Sequence, residues 1–241
     1  MLRIEHFSKT YPGGKRAVED LSLEVKPGEI YGFIGHNGAG KTTTIRAVAG
    51  VINFTEGRIW VADHDVQKEG VEAKRAMAFL PDNPDLYDFM TGIGYLNFIA
   101  DVYNLSQQER TQRIQRYADG FELTQQLGSM IGSYSHGMKQ KLALISAFIR
   151  QPKLLILDEP FVGLDPLASH KLKEYLKELC SQGGAVFFST HVLEMAEKLC
   201  HRVGILKQGR LICQGTLEEI TAGATLEELF LHQAQEVEQN A

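Results

Sequence analysis

The 241-residue chain has no apolar run approaching the roughly 18 residues needed to cross a bilayer, so any membrane role is expected to come through a partner. Met1-Leu2-Arg3-Ile4-Glu5-His6 carries no apolar stretch of a secretory signal, and a soluble, cytosolic chain is expected. Cysteine is scarce: Cys180, Cys200 and Cys213 are odd in number and lack metal-ligand spacing. That excludes a disulfide framework and favours small buried apolar residues in a reducing compartment. Positive charge is not in surplus either, since 25 Lys and Arg stand against 30 Asp and Glu for a formal charge of −5. Without a basic face, a dedicated nucleic-acid binder is not expected. Internal repeats and low-complexity stretches are absent. Hydrophobic content of 44% and charged content of 23% are ordinary for a globular chain and argue against disorder. A chain of this size buries about 70–75% of its unfolded surface and needs no metal or disulfide to hold a core.

Short apolar runs alternate with segments of helical period, which predicts an α/β fold around a mainly parallel sheet. Ile30 to Ile34, Leu154 to Leu157 and Ala185 to Phe188 are compact enough for buried strands. Pro166 to about Gln182 reads as a helix, with Asp165 as cap and Leu172, Tyr175, Leu176 and Leu179 on one face. Val203 to Leu206 and Leu211 to Cys213, joined through Lys207-Gln208-Gly209-Arg210, predict a β-hairpin. Between about Pro84 and Gln151 helical spacing dominates, with Leu96, Ile99, Ala100 and Tyr103, then Ile114, Tyr117, Ala118 and Phe121. Ser106 and Glu109 form a capping-box pattern there. We read one domain: an α/β core over 1–83 and 152–215, a helical insertion over 84–151 and a helical tail over 216–241. Thr216 with Glu219 and Thr225 with Glu228 would start tail helices, and Gln235 to Ala241 would fray.

Gly35-His36-Asn37-Gly38-Ala39-Gly40-Lys41-Thr42 matches G-x-x-x-x-G-K-[ST], preceded by a buried-strand run and followed by a helical pattern. Glycines let the backbone wrap closely, so that successive N–H groups face phosphate oxygens, and the following helix adds its dipole. Lys41 would bridge the β- and γ-phosphates, and the Thr42 hydroxyl would ligate Mg²⁺. A second strand, Leu154-Leu155-Ile156-Leu157, ends in Asp158-Glu159. Ligands of open α/β sheets gather at the carboxyl ends of strands. Asp158 would therefore hold the Mg²⁺ shell, leaving Glu159 to orient or deprotonate the attacking water. A third element, Ser133 to Leu142, offers Ser135, Gly137 and a helix start as a further anion site. Two phosphate-binding helix starts with one cradle suggest that two chains share each nucleotide.

With these elements in order, the chain resembles the ATP-binding subunit of ABC transporters from about Leu2 to Gln214. The family signature usually reads Leu-Ser-Gly-Gly-Gln; here it is Tyr134-Ser135-His136-Gly137-Met138, similar to the variant of ABC-2-type exporters. The resemblance implies a P-loop NTPase (RecA-like) core with an antiparallel β subdomain and an inserted α-helical subdomain. It implies ATP and Mg²⁺ as ligands, with Tyr11 stacked on adenine. The cradle residues Gly35, His36, Asn37, Gly38, Ala39, Gly40, Lys41, Thr42 and Thr43 would hold the phosphates. Ser135 and Gly137 would face the partner's γ-phosphate, Gly163-Leu164-Asp165 would run between subunits, and His191 would contact the γ-phosphate. At the family's usual Gln this chain has Asp82, which would reach the metal directly or through water, or serve mainly as a turn residue before Asn83-Pro84.

The implied activity is ATP hydrolysis coupled to transmembrane transport, with Glu159, His191 and Lys41 catalytic and Thr42, Asp158 and Asp82 around the metal. ATP would close a homodimer or a heterodimer with a second ATP-binding subunit, and hydrolysis would open it. The partner would be a membrane-spanning permease on a separate chain, at the cytoplasmic face of the cell membrane, and export is favoured over import. The alternative reading is a soluble ABC-type ATPase switch acting on DNA or ribosomes, or a nucleotide-binding regulator without turnover. One cassette, no heptad insertion and no basic arm favour transport and no nucleic acid.

Overall fold

Two sheets share the chain, and one short helix lies between them. In this computed structural model, residues 1–221 and 225–229 are described. The chain opens with β1 (Leu2–Thr10) and β2 (Arg16–Val25), an antiparallel pair. β3 (Ile30–Ile34), buried throughout, leads through the glycine-rich loop into α1 (Lys41–Val48). β4 (Glu56–Val61) and β5 (His64–Asp65) return to the first sheet, whose order is β2-β1-β4-β5. The alternation of β1 is interrupted at His6, whose φ of 50° accompanies a register shift between Ile4 and Phe7. Leu2 and Ile4 therefore face inward before the bulge, and Phe7 and Ser8 after it.

α2 (Gly70–Ala76) precedes β6 (Met77–Leu80), which enters the second sheet. Three helices follow: α3 (Gly92–Val102), α4 (Gln107–Gly120) and α5 (His136–Phe148). Each begins on a hydroxyl cap, Thr91, Ser106 or Ser135, and Ser106 with Glu109 forms a complete capping box. Tyr117 and Phe121 of α4 pack with Phe148 of α5 and with Tyr175, at ring separations of 5.0–6.4 Å. Leu142, Ile145 and Ile149 share one core with strand residues Leu155 and Leu157, so α5 ties the helical segment to the sheet.

β7 (Leu154–Asp158), α6 (Pro166–Ser181), β8 (Ala185–Thr190) and α7 (Leu193–Leu199) complete the α/β part. The hairpin β9 (Arg202–Lys207) and β10 (Arg210–Thr216) then leads to α8 (Leu217–Thr221). The second sheet runs β10-β9-β3-β8-β7-β6, parallel from β9 to β6 with β10 antiparallel at the edge. The fold is thus the α/β class expected, and its buried strands run one or two residues beyond the apolar stretches, through Asp158 and Thr190.

α1 sits between the sheets, with Ile45 and Val48 in one cluster with Phe7 and Val18 on one side and Phe33 and Phe187 on the other. Both tail capping boxes form, Thr216 with Glu219 and Thr225 with Glu228. The expected fraying of Gln235 to Ala241 lies outside the described residues. Cys180 and Cys200 are buried and Cys213 is half-buried; burial pushes the Cys180 thiol up to about 12, which keeps it protonated at neutral pH.

Candidate functional site

Strand order decides what the loops can meet. β8 lies between β3 and β7, and β6 flanks β7. Ile34 pairs with Thr190, Ser189 with Asp158, and Leu157 with Leu80. Four strands therefore end along one line, and the residues just beyond them, Gly35, His191, Glu159 and Pro81-Asp82, emerge at the carboxyl edge of the sheet. A cleft of about 290 Å³ opens there, between this edge and the start of α1.

The glycine-rich loop forms the floor of the cleft. Gly40 caps α1 with φ 110° and ψ 1°, outside the range of an ordinary L-residue. A Cβ there would lie 2.5 Å from the Ala17 carbonyl, so β2 presses against the loop where only hydrogen fits. Lys41, 5% exposed, is folded back: its Nζ donates to the Gly35 carbonyl at 2.6 Å and to that of His36 at 3.3 Å. A buried ammonium held by carbonyl oxygens at a helix start is poised to exchange one of them for a phosphate oxygen. Thr42 is exposed and Thr43 half-buried in the first turn of α1, both lining the cleft.

The acidic wall comes from the end of β7. Asp158 is 3% exposed, and its Oδ1 accepts the Ser189 hydroxyl at 2.5 Å. That bond uses part of the carboxylate's acceptor capacity and leaves the rest for a cation. Glu159 has φ 48°, and its backbone N–H donates to the Ser189 carbonyl at 3.3 Å and hydroxyl at 3.2 Å. Its Oε1 lies 2.9 Å from His191 Nδ1 and 3.6 Å from Lys41 Nζ. One carboxylate thus joins three of the expected site residues, Lys41, Glu159 and His191.

Tyr11, immediately after β1, supplies the opposite wall, with its hydroxyl 3.4 Å from Thr43 Oγ1. Asp82 lines the same cleft from the end of β6 and is exposed. The side-chain oxygens that the cleft offers a metal are hard ones: the Thr42 hydroxyl and the Asp158 and Asp82 carboxylates. Among the described residues no group of three or more His, Cys, Asp or Glu forms a metal cage. This sparse oxygen set fits Mg²⁺, which keeps several waters and takes the rest of its shell from phosphate.

Ser135 and Gly137 do not join the cleft. Ser135 is exposed at the start of α5, where its hydroxyl accepts the Met138 N–H at 3.3 Å. Gly137 packs on the loop that follows β7: a Cβ on it would lie 2.9 Å from the Gly163 carbonyl. Lys141 Nζ meets Asp165 Oδ2 at 2.7 Å, tying α5 to the cap of α6. The Lys141 ammonium, together with the Ala168 N–H, holds the Asp165 carboxyl below its ordinary range.

Two residues of this site escaped the sequence reading. Ser189 had a signal, its place directly before Thr190-His191, but its bond to Asp158 depends on the register of β7 with β8. Lys15 lines the cleft beside Tyr11. Nothing in its Pro-Gly-Gly-Lys context separates it from an ordinary surface lysine.

The sequence pattern of the ABC transporter family matches residues 18–162. An uncharacterized ABC transporter ATP-binding protein of Synechocystis sp. is 35% identical over 206 residues, 85% of this chain and 58% of that protein. The linearmycin resistance ATP-binding protein LnrL of Bacillus subtilis is 35% identical over 220 residues, 91% of this chain and 70% of that protein. A solved structure described as the ATP binding subunit of an ABC transporter superposes with a TM-score of 0.92 at 36% identity, over 96% of this chain and 98% of that one.

Proposed function

The chain belongs to the ABC transporter family, and from that premise we propose that it is an ATP-binding and ATP-hydrolysing subunit that powers transport through a separate membrane subunit. The observation that carries the reading is the convergence of Lys41, Asp158 and Glu159 on one cleft lined also by Tyr11, with His191 joined to it through Glu159.

Tyr11 stacks on the base, and the N–H groups from Gly35 to Thr43 receive the phosphates. Lys41 leaves its carbonyl partners for the terminal phosphates. Thr42 and Asp158, with Asp82 beside them, would hold Mg²⁺, which would supply charge neutralisation for the phosphates when bound. Glu159 accepts a proton from water as the water oxygen forms its bond to the γ-phosphorus. The bond from that phosphorus to the β,γ-bridging oxygen breaks, giving ADP and inorganic phosphate. His191 and Lys41 stabilise the charge that builds on the γ-oxygens, and the contact between Glu159 and His191 orients the base.

The signature supports a shared nucleotide. Ser135 and Gly137 lie outside the cleft, with Gly137 packed on Gly163, and Val162 and Leu167 in the loop and helix start flanking Gly163 are 46% and 51% exposed. An identical or related ATP-binding subunit placed there would bring its own cleft to Ser135 and Gly137. ATP would then favour the closed pair because only that state contacts it from both sides.

The membrane subunit meets the helical segment, where Tyr87, Phe89 and Phe98 form an exposed aromatic group. Among the described residues no helix is long and apolar enough to cross a membrane. On this reading the chain works at the cytoplasmic face through that partner. Export is the direction supported by the Tyr134-Ser135-His136-Gly137-Met138 signature and by the likeness to a protein named for linearmycin resistance.

Glu159→Gln tests the reading. It keeps the shape and the neighbours of the side chain but removes the base. Phosphate release measured with the membrane partner present should fall about 10²- to 10⁴-fold while ATP-dependent pairing persists or increases. Wild-type turnover in that variant would exclude Glu159 as the base.

A further inference from the structure

Two ammonium groups line the nucleotide cleft, and among the described residues only one of them has a hydrogen-bond or ion-pair partner. Lys41 at the inner end is held by two carbonyls and faces Glu159. Lys15 lines the outer wall, is exposed, and its ammonium makes no hydrogen bond or ion pair among the described residues. Its neighbour Arg16 is drawn elsewhere, to Ser8 Oγ at 3.1 Å and to Glu56 Oε2 at 3.4 Å. The backbone of Lys15 is fixed all the same: its carbonyl accepts the Tyr11 N–H at 2.9 Å, and the Gly14 N–H donates to the Tyr11 carbonyl at 3.1 Å. Lys15 therefore rides on the same tight turn as the aromatic wall, and that wall touches Thr43 in the first turn of α1.

This places a free cation in the cleft beside Tyr11, on the turn whose aromatic ring meets the first turn of α1, while Lys41 faces Glu159. On the reading that the cleft binds ATP, we propose that Lys15 binds the nucleoside-proximal phosphate of the nucleotide. The terminal phosphates fall to Lys41, so Lys15 neutralises charge that di- and triphosphate have in common. A lysine suits the task, because a flexible stem with a compact charge needs no fixed fork geometry. Lys15 is thus a binding residue, setting affinity for the nucleotide without touching the atoms that react.

The test compares wild type, Lys15→Met and Lys15→Arg by titration with ATP, ADP and adenosine. Lys15→Met should raise the Kd for ATP and for ADP by the same factor, roughly 3- to 10-fold for a partly screened charge contact. Adenosine binding should not change, Lys15→Arg should restore most of the loss, and the salt dependence of ADP binding should flatten in Lys15→Met. Because the side chain is exposed, the unliganded variant should melt with wild type. Equal nucleotide affinities in wild type and Lys15→Met would overturn the assignment. So would a loss confined to ATP, which would move the contact to the terminal phosphate, or a matching loss for adenosine, which would move it to the base or ribose. Failure of the wild-type chain itself to bind either nucleotide would overturn the ATP-binding reading on which this one rests.

Discussion

Gly40→Ala probes the cradle at its tightest point. The native φ of 110° is one that an alanine adopts only under strain, at a cost of about 1–3 kcal/mol. The added methyl would also lie 2.5 Å from the Ala17 carbonyl and 3.2 Å from both Leu206 Cδ2 and Val18 Cγ2. Relieving that overlap means moving β2 or the loop, for about 1–3 kcal/mol more. A total of about 2–6 kcal/mol in a domain of this length lowers the Tm by roughly 4–24 °C. The same displacement moves the N–H groups that would face phosphate. Nucleotide at 100 times its Kd stabilises the folded wild type by about 2.7 kcal/mol. Thermal unfolding with and without ADP and Mg²⁺ reads both effects in one experiment. Wild type should gain several degrees from nucleotide, and Gly40→Ala should start lower and gain little. If the variant melts within about 2 °C of wild type and shows the same nucleotide-dependent rise, the close approach of β2 to the loop does not shape the cradle.

Two further outcomes follow from the acidic wall and from the contact between α5 and α6. Ser189→Ala removes the hydroxyl that donates to the buried Asp158 and accepts the Glu159 N–H, for a loss of about 1–3 kcal/mol in denaturant unfolding. Its kcat should fall with little change in KM, and wild-type stability and turnover would refute the link. Asp165→Asn keeps the helix cap, because Asn and Asp cap equally well, but loses the charge facing Lys141. The folded Asp165 carboxyl titrates below its unfolded value, so its stabilisation is fully present above about pH 4 and is lost as pH falls through the folded value. Wild type should therefore lose more stability on acidification than Asp165→Asn in urea unfolding, and parallel curves would show that the ion pair contributes nothing.

Local signals were legible wherever one segment contains its own explanation. Gly35 to Thr42 spells a strand–turn–helix phosphate cradle, Asp165-Pro166 opens a helix, and Ser106 with Glu109 caps another. The buried parallel strands also stand out, because both their faces are covered and they read as unbroken apolar runs. β1 could not be read from alternation, since the bulge at His6 changes which residues face inward partway along the strand.

What the chain by itself determined is the chemistry available: a lysine at a glycine-rich helix start, two carboxylates closing a buried strand, and a histidine after another. What only the tertiary structure decided is which of these meet. Pairing partners far apart in sequence set β8 between β3 and β7, and that order brings Ser189 to Asp158 and His191 and Lys41 to Glu159. It also leaves Ser135 and Gly137 outside the cleft, with Gly137 packed on Gly163. Side-chain types are fixed residue by residue, whereas distances between strands are set by the burial of whole faces, and no short stretch of sequence contains both.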